Sequence, residues 1–387
     1  MERLLVLGAG AAQLGLLEAA RARGLFVIAV DRDPAAPGFA YADRRAIVPV
    51  DDEPALERLA EAERIDGVIA PGADQPVGAA ARIAARLGIP HPLAPETAVL
   101  STSKLRQRER LADAGVPQTG WRVISTPDEV VGVPCLVRSP DRQGRRARAV
   151  VRSSKELRSA VKAALRGSRI GLCLVEELAE APVVSVNAFS RDGVFHPLTV
   201  TDRAPLADVW ESEHARAAAA LAREAAEALG IHDGPTVTRI RIDQDGPKVL
   251  ELSARLGGGH DAELCHAALG IDLDGLALSA ALGEPVSDRR LRTRRRVGAA
   301  CVRFLAGDGE PDGLEDAASI RGVGWVSAYR GSDRAGAVLD LAHGRARPDR
   351  LGLRPDRGRR PVAGVEADQR RRRHDLRDHG PKVPCFA

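Results

Sequence analysis

Short apolar runs alternate with amphipathic stretches through the first hundred residues. Residues 3–7 (RLLVL) have the pattern of a buried strand. A glycine turn follows, and then a helix predicted from about Leu14 to Arg23 and stopped by Gly24. Residues 25–30 (LFVIAV) predict a second strand ending at Asp31, 47–50 a third and 67–70 (GVIA) a fourth. Helices are expected at 54–63 and about 77–87, and Ile89-Pro90 predicts the start of another strand. Strands alternating with helices at this spacing run parallel under helices on both faces. An α/β, doubly wound parallel sheet is therefore expected over residues 1–100.

The rhythm then changes. A helix is predicted from Ser103 to Ala114, and two strands, Cys135–Arg138 and Ala147–Arg152, flank a polar turn containing Gly144. A helix over 155–165 leads to strands at 171–176, 183–190 and 194–200 and to an Ala-rich helix at about 213–229. Two further strands, Thr236–Asp243 and Lys248–Ser253, are joined through Gln244-Asp245-Gly246. This is an α+β unit over 101–285, followed by a small strand-rich piece over 286–340. From about Leu341 the apolar period disappears and Arg, Asp, Gly and Pro dominate, an abrupt shift of the kind a frameshift produces. Residues 341–387 are expected to be a disordered, dispensable tail.

Composition refines this outline. Hydrophobic residues make up 44% of the 387 but aromatics only 3%, so the core is aliphatic and a base-stacking nucleic-acid platform is not expected. The net charge of +4 is misleading. Of the 57 Lys+Arg and 53 Asp+Glu, 13 and 6 lie after residue 340, which leaves the body at −3. The run Arg370–Arg373 reads as a solvated tail rather than a specific nucleic-acid contact. The five cysteines are widely spaced with no CxxC pair, which fits reduced thiols in the cytoplasm. No apolar run of the ~18 residues a membrane span requires is present.

Candidate chemistry sits in three places. The first turn, Gly8-Ala9-Gly10-Ala11-Ala12-Gln13, is a partial dinucleotide fingerprint with Gln13 where a third glycine belongs and Asp31 where a ribose would be met. It also reads as a tight turn for helix–sheet packing. In the hairpin 236–253, a three-residue turn at 244–246 sets Arg239 opposite Glu251. Alternation then puts Thr238, Ile240, Ile242, Leu250 and Leu252 on an apolar face and Val237, Arg239, Arg241, Val249, Glu251 and Ser253 on the other. That charged face reads either as an anion or metal site or as a surface ion pair. The segment Ser253-Ala254-Arg255-Leu256-Gly257-Gly258-Gly259-His260-Asp261 puts three glycines before a predicted helix. Backbone N–H groups, a helix dipole and a guanidinium there suit a phosphate or oxyanion; the plainer reading is a connector with Asp261 as N-cap.

Taken in order, "STSK" (Lys104), "VPCLVRSPDRQGRR", "LVEELAE" and "VLELSARLGGGHDAEL" resemble the ATP-grasp superfamily, which includes biotin carboxylase, carbamoyl-phosphate synthetase and carboxylate-amine ligases, over about residues 1–340. The resemblance implies an ATP-dependent ligase that binds ATP and Mg2+ and joins a small-molecule carboxylate to an amine through an acyl phosphate. Lys104 and Arg138 would meet phosphates, and the loop at Gln143 and Gly144 would cover them. Glu176 and the backbone of Glu177 and Leu178 would hold the adenine edge. Glu251 would ligate Mg2+, Arg255 would steady the acyl phosphate, and Gly258 and Gly259 would line the anion loop. Three positions depart from the family pattern. Val183 replaces a ribose-binding Glu, Arg239 the first metal carboxylate, and Ser253 an Asn. A nucleotide-binding protein of the same fold with weakened or lost catalysis is the alternative reading. The implied protein is cytoplasmic, works without a membrane or a specific nucleic acid, and is compatible with a homodimer.

Overall fold

The computed structural model describes residues 1–129, 132–141, 148–178, 181–202, 213–297, 299–305, 323–328 and 336–342. Strands β1 (Arg3–Leu7), β2 (Phe26–Asp31), β3 (Arg44–Ile47) and β4 (Gly67–Ile69) form a parallel sheet in the order β3-β2-β1-β4. Helices α1 (Leu14–Ala22), α2 (Glu53–Glu63) and α3 (Gln75–Leu87) connect and cover it. The two central strands are buried on both faces, with Leu4, Leu5, Val27 and Ile28 fully enclosed, as a doubly covered sheet requires. The third strand lies earlier than its apolar signal at 47–50, and Ile89-Pro90 forms no strand. Pro90 and Pro92 lack the N–H groups a ladder needs, and the Leu93 N–H is taken by His91 Nδ1 (3.1 Å).

Helices α4 (Pro95–Thr102) and α5 (Lys104–Asp113) lead out of this sheet; the first of them carries no clear periodic signal. Strands β5 (Trp121–Ile124), β6 (Cys135–Arg138), β7 (Arg148–Val151) and β8 (Cys173–Glu177) form an antiparallel sheet ordered β5-β8-β6-β7. Helix α6 (Ser154–Gly167) packs on it, and Ile124, Val137, Val151, Val161 and Val175 make a small core of its own. A second antiparallel sheet, ordered β10-β9-β11-β12, is built from β9 (Val183–Arg191), β10 (Val194–Asp202), β11 (Gly234–Asp243) and β12 (Gly246–Ser253). Helix α7 (Glu213–Ala228) covers its apolar face, and the resulting core is continuous with that of the first sheet.

Helices α8 (Asp261–Leu269), α9 (Leu273–Ala281) and α10 (Asp288–Leu291) follow. A last sheet, ordered β13-β15-β14, is formed by β13 (Ala299–Leu305), β14 (Val323–Ala328) and β15 (Gly336–Ala342). The expected tail from Leu341 lies, after Ala342, outside the described residues. Among the described residues no single helix is long and apolar enough to cross a membrane.

Candidate functional site

The site begins with the pairing of β9, β11 and β12. The β11–β12 turn is tighter than expected: Asp243 pairs with Gly246, leaving only Gln244 and Asp245 in the loop. Left alone, this would set Arg239 against Leu250. A β-bulge intervenes, because Ile240 pairs with Val249 and Arg239 with Glu251, so Leu250 is the extra residue. Arg239 therefore still faces Glu251, by a route the residue count alone does not give. The bulge also corrects the faces. Val249, expected beside the charges, is fully buried with Ile240, and Leu250 is only half-buried.

Two polar rows cross the sheet on the face away from α7. One runs Thr201, Ser185, Arg239, Glu251; the next runs Thr199, Asn187, Val237, Ser253.

β12 is an edge strand, and α5 completes it. Side chains four apart on a helix share a face, and Lys104, Gln107, Arg108 and Leu111 turn toward β12. Gln107 Oε1 accepts from Leu252 N (3.0 Å), and its Nε2 donates to Leu252 O (2.8 Å). Arg108, 3% exposed, donates from Nη1 to Val249 O (3.0 Å) and from Nη2 to Leu250 O (2.7 Å), so it grips the bulge itself. Lys104 Nζ lies 3.4 Å from Glu251 Oε1. The backbone groups an edge strand would leave open are thus filled by these side chains and, at Val249, by the backbone of Pro117 and Thr119.

Arg108 also reaches the other antiparallel sheet. Its Nε and Nη2 lie 3.0 and 2.6 Å from Glu176 Oε1. Arg138 holds the same carboxylate, with Nη2 2.9 Å from Oε1 and Nε 2.7 Å from Oε2. Glu176 is 4% exposed, so its carboxylate is enclosed by two guanidinium groups rather than open to an adenine. Glu177 is exposed; its Oε2 lies 3.5 Å from Arg241 Nη2, and Arg241 is clamped by Asp243 (2.7 Å). Burial acts to raise the Asp243 carboxyl, but hydrogen bonds from Arg241 and Lys248 hold it below the usual carboxylate range. Leu178 follows β8 and is half-buried. Gln143 and Gly144 lie outside the described residues.

Beyond β12 the chain turns toward the first sheet. Arg255 Nε lies 2.6 Å from Asp74 Oδ1, its Nη1 donates to Leu256 O (2.8 Å) and its Nη2 to Ser253 Oγ (3.5 Å). Burial acts to raise the Asp74 carboxyl; the charge and hydrogen bond of Arg255 outweigh it, with Ser253 and Lys104 adding, and hold it below the usual range. A Cβ at Gly258 would stand 3.2 Å from Gly72 O, so the glycine loop passes close against the loop after β4. Gly259 gives its backbone N–H to Asp261. The N-cap of α8 is His260, in the left-handed region at φ 61°, and Asp261 is the first helical residue rather than the cap. A Cβ at Gly257 would collide with the Asp261 carboxylate, so glycine there lets the acid fold back over the loop.

The first glycine turn is closed. The Ala9 N–H donates to Asp31 Oδ2 (2.9 Å), and the Gln13 side chain stands 3.2 Å from where a Cβ on Gly8 or Gly10 would be. Gln13 Nε2 donates to Pro71 O (2.7 Å) across the crevice between β1 and β4, where the strand order reverses and α/β sheets usually bind ligands. The pyrophosphate of a dinucleotide would need that space and that N–H.

For Mg2+, Glu251 is the one carboxylate in its row, with Arg239 across the ladder and Lys104 beside it. Among the described residues no group of three or more His, Cys, Asp or Glu side chains could hold a metal ion. Mg2+ is commonly held by one or two carboxylates together with substrate phosphates. These residues fit one ion shared with phosphates and do not fit a pair. At an effective dielectric of ~20, unit charges ~4 Å apart interact by about 4 kcal/mol, and a divalent ion beside a guanidinium doubles the repulsion.

Four residues of this site escaped the sequence reading: Arg108, Gln107, Asp74 and Asn187. Arg108 lies in the charged run Lys104–Arg110, which looks like a solvated helix face. Its i, i+4 spacing from Lys104 was the available signal.

No protein-family model matches the chain. It is 28% identical to the uncharacterized protein y4rH of Sinorhizobium fredii over 381 residues, covering 87% of this chain and 77% of that one. It is 30% identical over 184 residues to the formate-dependent phosphoribosylglycinamide formyltransferase of Burkholderia pseudomallei, a match spanning 45% of each. The structure is similar to the L-amino acid ligase of Bacillus licheniformis, with a TM-score of 0.74 and 22% identity over 89% of this chain and 94% of that one.

Proposed function

We propose that this chain, whose fold is that of the ATP-grasp enzymes, is an ATP-dependent ligase that joins a small-molecule carboxylate to an amine. The observation that carries the reading is Lys104 brought to within 3.4 Å of Glu251, on the polar face of a sheet that Arg108 links to Glu176 of the other. A cation that meets phosphates and a carboxylate that meets their counter-ion are held together there by α5 and β12.

ATP would lie between the two antiparallel sheets, with the Glu177–Leu178 backbone at the adenine edge. Lys104 and Arg239 would neutralise phosphate charge. Arg138 would exchange Glu176 for a phosphate oxygen while Arg108 keeps Glu176 neutralised. Glu251 would hold Mg2+, which when bound neutralises charge on the transferred phosphoryl group.

The substrate carboxylate attacks the γ-phosphorus of ATP, so that an acyl phosphate forms and ADP leaves. The amine nitrogen then attacks the acyl carbon, the C–O bond to phosphate breaks, and an amide, inorganic phosphate and one proton result. The protein contributes position and preset charge. Arg255, fixed by Asp74, would face the oxyanion, with the backbone of Gly258 and Gly259 beside it.

The test is ADP release by the full chain across paired panels of acids and amines, with hydroxylamine present to trap acyl phosphates as hydroxamates. ADP release that requires an acid and yields its hydroxamate is the expected result. ATP binding without any such release would leave the second reading, a nucleotide-binding protein without catalysis, favoured by the guanidinium of Arg239 in the metal row.

A further inference from the structure

The acceptor end of the cleft differs in charge from the nucleotide end. We propose that the subsite between the Gly257–Gly259 loop and the first sheet takes an unphosphorylated amine in its ammonium form. This rests on the ligase reading and names the class of its second substrate.

Two independent sets of contacts converge on it. The first removes the means of holding a phosphate on the first sheet. The Ala9 N–H is bonded to Asp31, and Gln13 fills the turn and the crevice beside it. A phosphate arriving there would meet the Asp31 carboxylate and the Gln13 side chain. Glycine turns hold phosphates through open N–H groups, and here the Ala9 N–H is already bonded and Gln13 fills the turn.

The second set supplies acceptors. Asp261 lies within reach of Glu263, and Glu263 within reach of Asp274, whereas the basic groups at this end are already engaged. Arg255 is 2.6 Å from Asp74, and His260 Nδ1 is 3.0 Å from Glu263 Oε1. Glu263 Oε1 and Asp274 Oδ2 both converge on Gly15, 2.8 and 3.1 Å from the position of a Cβ there, so the two carboxylates are near neighbours against one face of α1.

Asn187, 1% exposed, points the same way. Its Nδ2 donates to Asp261 Oδ1 (3.3 Å) and Thr199 Oγ1 (3.2 Å), and its Oδ1 has no donor. A buried acceptor lacking a donor, set beside a carboxylate, calls for an N–H group. An ammonium satisfies both, and a phosphate satisfies neither. Burial above all, and then neighbouring acids, raise the Asp274 carboxyl well above its usual range. Burial likewise raises Asp261 against the pull of Asn187 and Gly259. A bound cation would relieve both.

The experiment titrates the full chain, with β,γ-imido-ATP and Mg2+, against three probes. L-Alaninamide carries the ammonium, N-acetyl-L-alaninamide lacks it, and phosphoribosylglycinamide adds a phosphate to an amine. L-Alaninamide should bind at least tenfold tighter than either of the others. Glu263→Gln and the isosteric Asp261→Asn should each cut that preference at least fivefold, Glu263→Gln standing in if the buried change impairs folding. Phosphoribosylglycinamide binding as tightly as L-alaninamide, or the acetylated probe matching it, overturns the proposal. Nucleotide affinity read in the same samples separates the two failures. Tight nucleotide with the wrong amine preference removes only the acceptor assignment. Absent nucleotide binding removes the ligase reading, and the amine preference is then read from melting-temperature shifts without nucleotide.

Discussion

Between α5 and β8, two arginines, Arg108 and Arg138, close on one buried glutamate, Glu176; at the loop after β12, one arginine, Arg255, pairs with Asp74 and acts on Asp261. The same pair of chemical groups thus appears in opposite excess. The first cluster is the better sealed, with Arg108 and Glu176 side chains each 4% exposed against 14% and 15% for Arg255 and Asp74. The looser one joins a loop of the first sheet to the loop after β12. The depth of burial therefore separates an ion pair whose loss is felt mainly as stability from one that solvent and solutes reach more easily.

The largest effect is expected where the seal is tightest. Removing one partner of a buried ion pair costs about 3–5 kcal/mol, because the other charge is left uncompensated. In Arg108→Met, Arg138 still holds Glu176, so the loss in urea unfolding should lie at the lower end of that range, and nucleotide binding should also be abolished, since β12 loses its hold on the bulge. A loss under about 1 kcal/mol would show that Arg108 is not structural.

Asp74→Asn should cost about 1.5–3 kcal/mol at pH 7, the range for hydrogen bonds to charged groups, and the cost should vary with pH. The folded Asp74 carboxyl lies below its usual value. Its stabilising contribution is therefore present above the unfolded pKa and lost as pH falls through the folded one. The difference between wild type and variant should begin to shrink only below the ordinary carboxylate value of about 4 and go on shrinking as pH falls through the lower folded value. A difference that stays constant well below that ordinary value would rule out the ion pair as the cause.

Lys104→Ala should weaken ATP binding about tenfold, or ~1.4 kcal/mol, by calorimetry. Arg239→Ala should weaken it by less, about threefold, and flatten its salt dependence, if the guanidinium serves the phosphates. Should Arg239→Glu instead strengthen Mg2+-dependent ATP binding, the arginine is a disabling residue and catalysis is the weaker reading. The smallest effect belongs to the end of the chain. A protein ending at Ala342, which keeps all of β15 and its pairing to β13 and β14, should melt within about a degree of the full chain, a shift equivalent to a few tenths of a kcal/mol.

Much of the fold was legible because its signals are local. The runs at 3–7, 25–30 and 67–70 are apolar throughout, as strands covered on both faces must be, and they alternate with stretches of helical period. Helix α4, with apolar and polar residues spread around it, gave no comparable pattern. Of the candidate site, Glu251, Arg255 and the glycine loop are legible from residue type and alternation, and Lys104 only through the family resemblance. Arg108 and Asp74 are not. Their importance comes from partners 68 and 181 residues away, and no window on the sequence contains both members of either pair. A three-residue turn predicts the Arg239–Glu251 pairing; the turn is one residue shorter, and the bulge supplies the difference.

That bulge has a consequence for how the protein can change. Leu250 is the supernumerary residue of the hairpin, so an in-frame loss of its single codon would leave Asp243 against Gly246, Ile240 against Val249 and Arg239 against Glu251. Both faces of the ladder would survive, whereas deleting Glu251 instead would set Leu250 against Arg239 and take the carboxylate out of the row. The missing part would be the carbonyl that Arg108 holds at 2.7 Å, and with it the local bend of the strand. Leu250 is thus a position where lineages could shorten this hairpin by one letter without scrambling it, and where the handle between α5 and the Arg239–Glu251 row would come loose first.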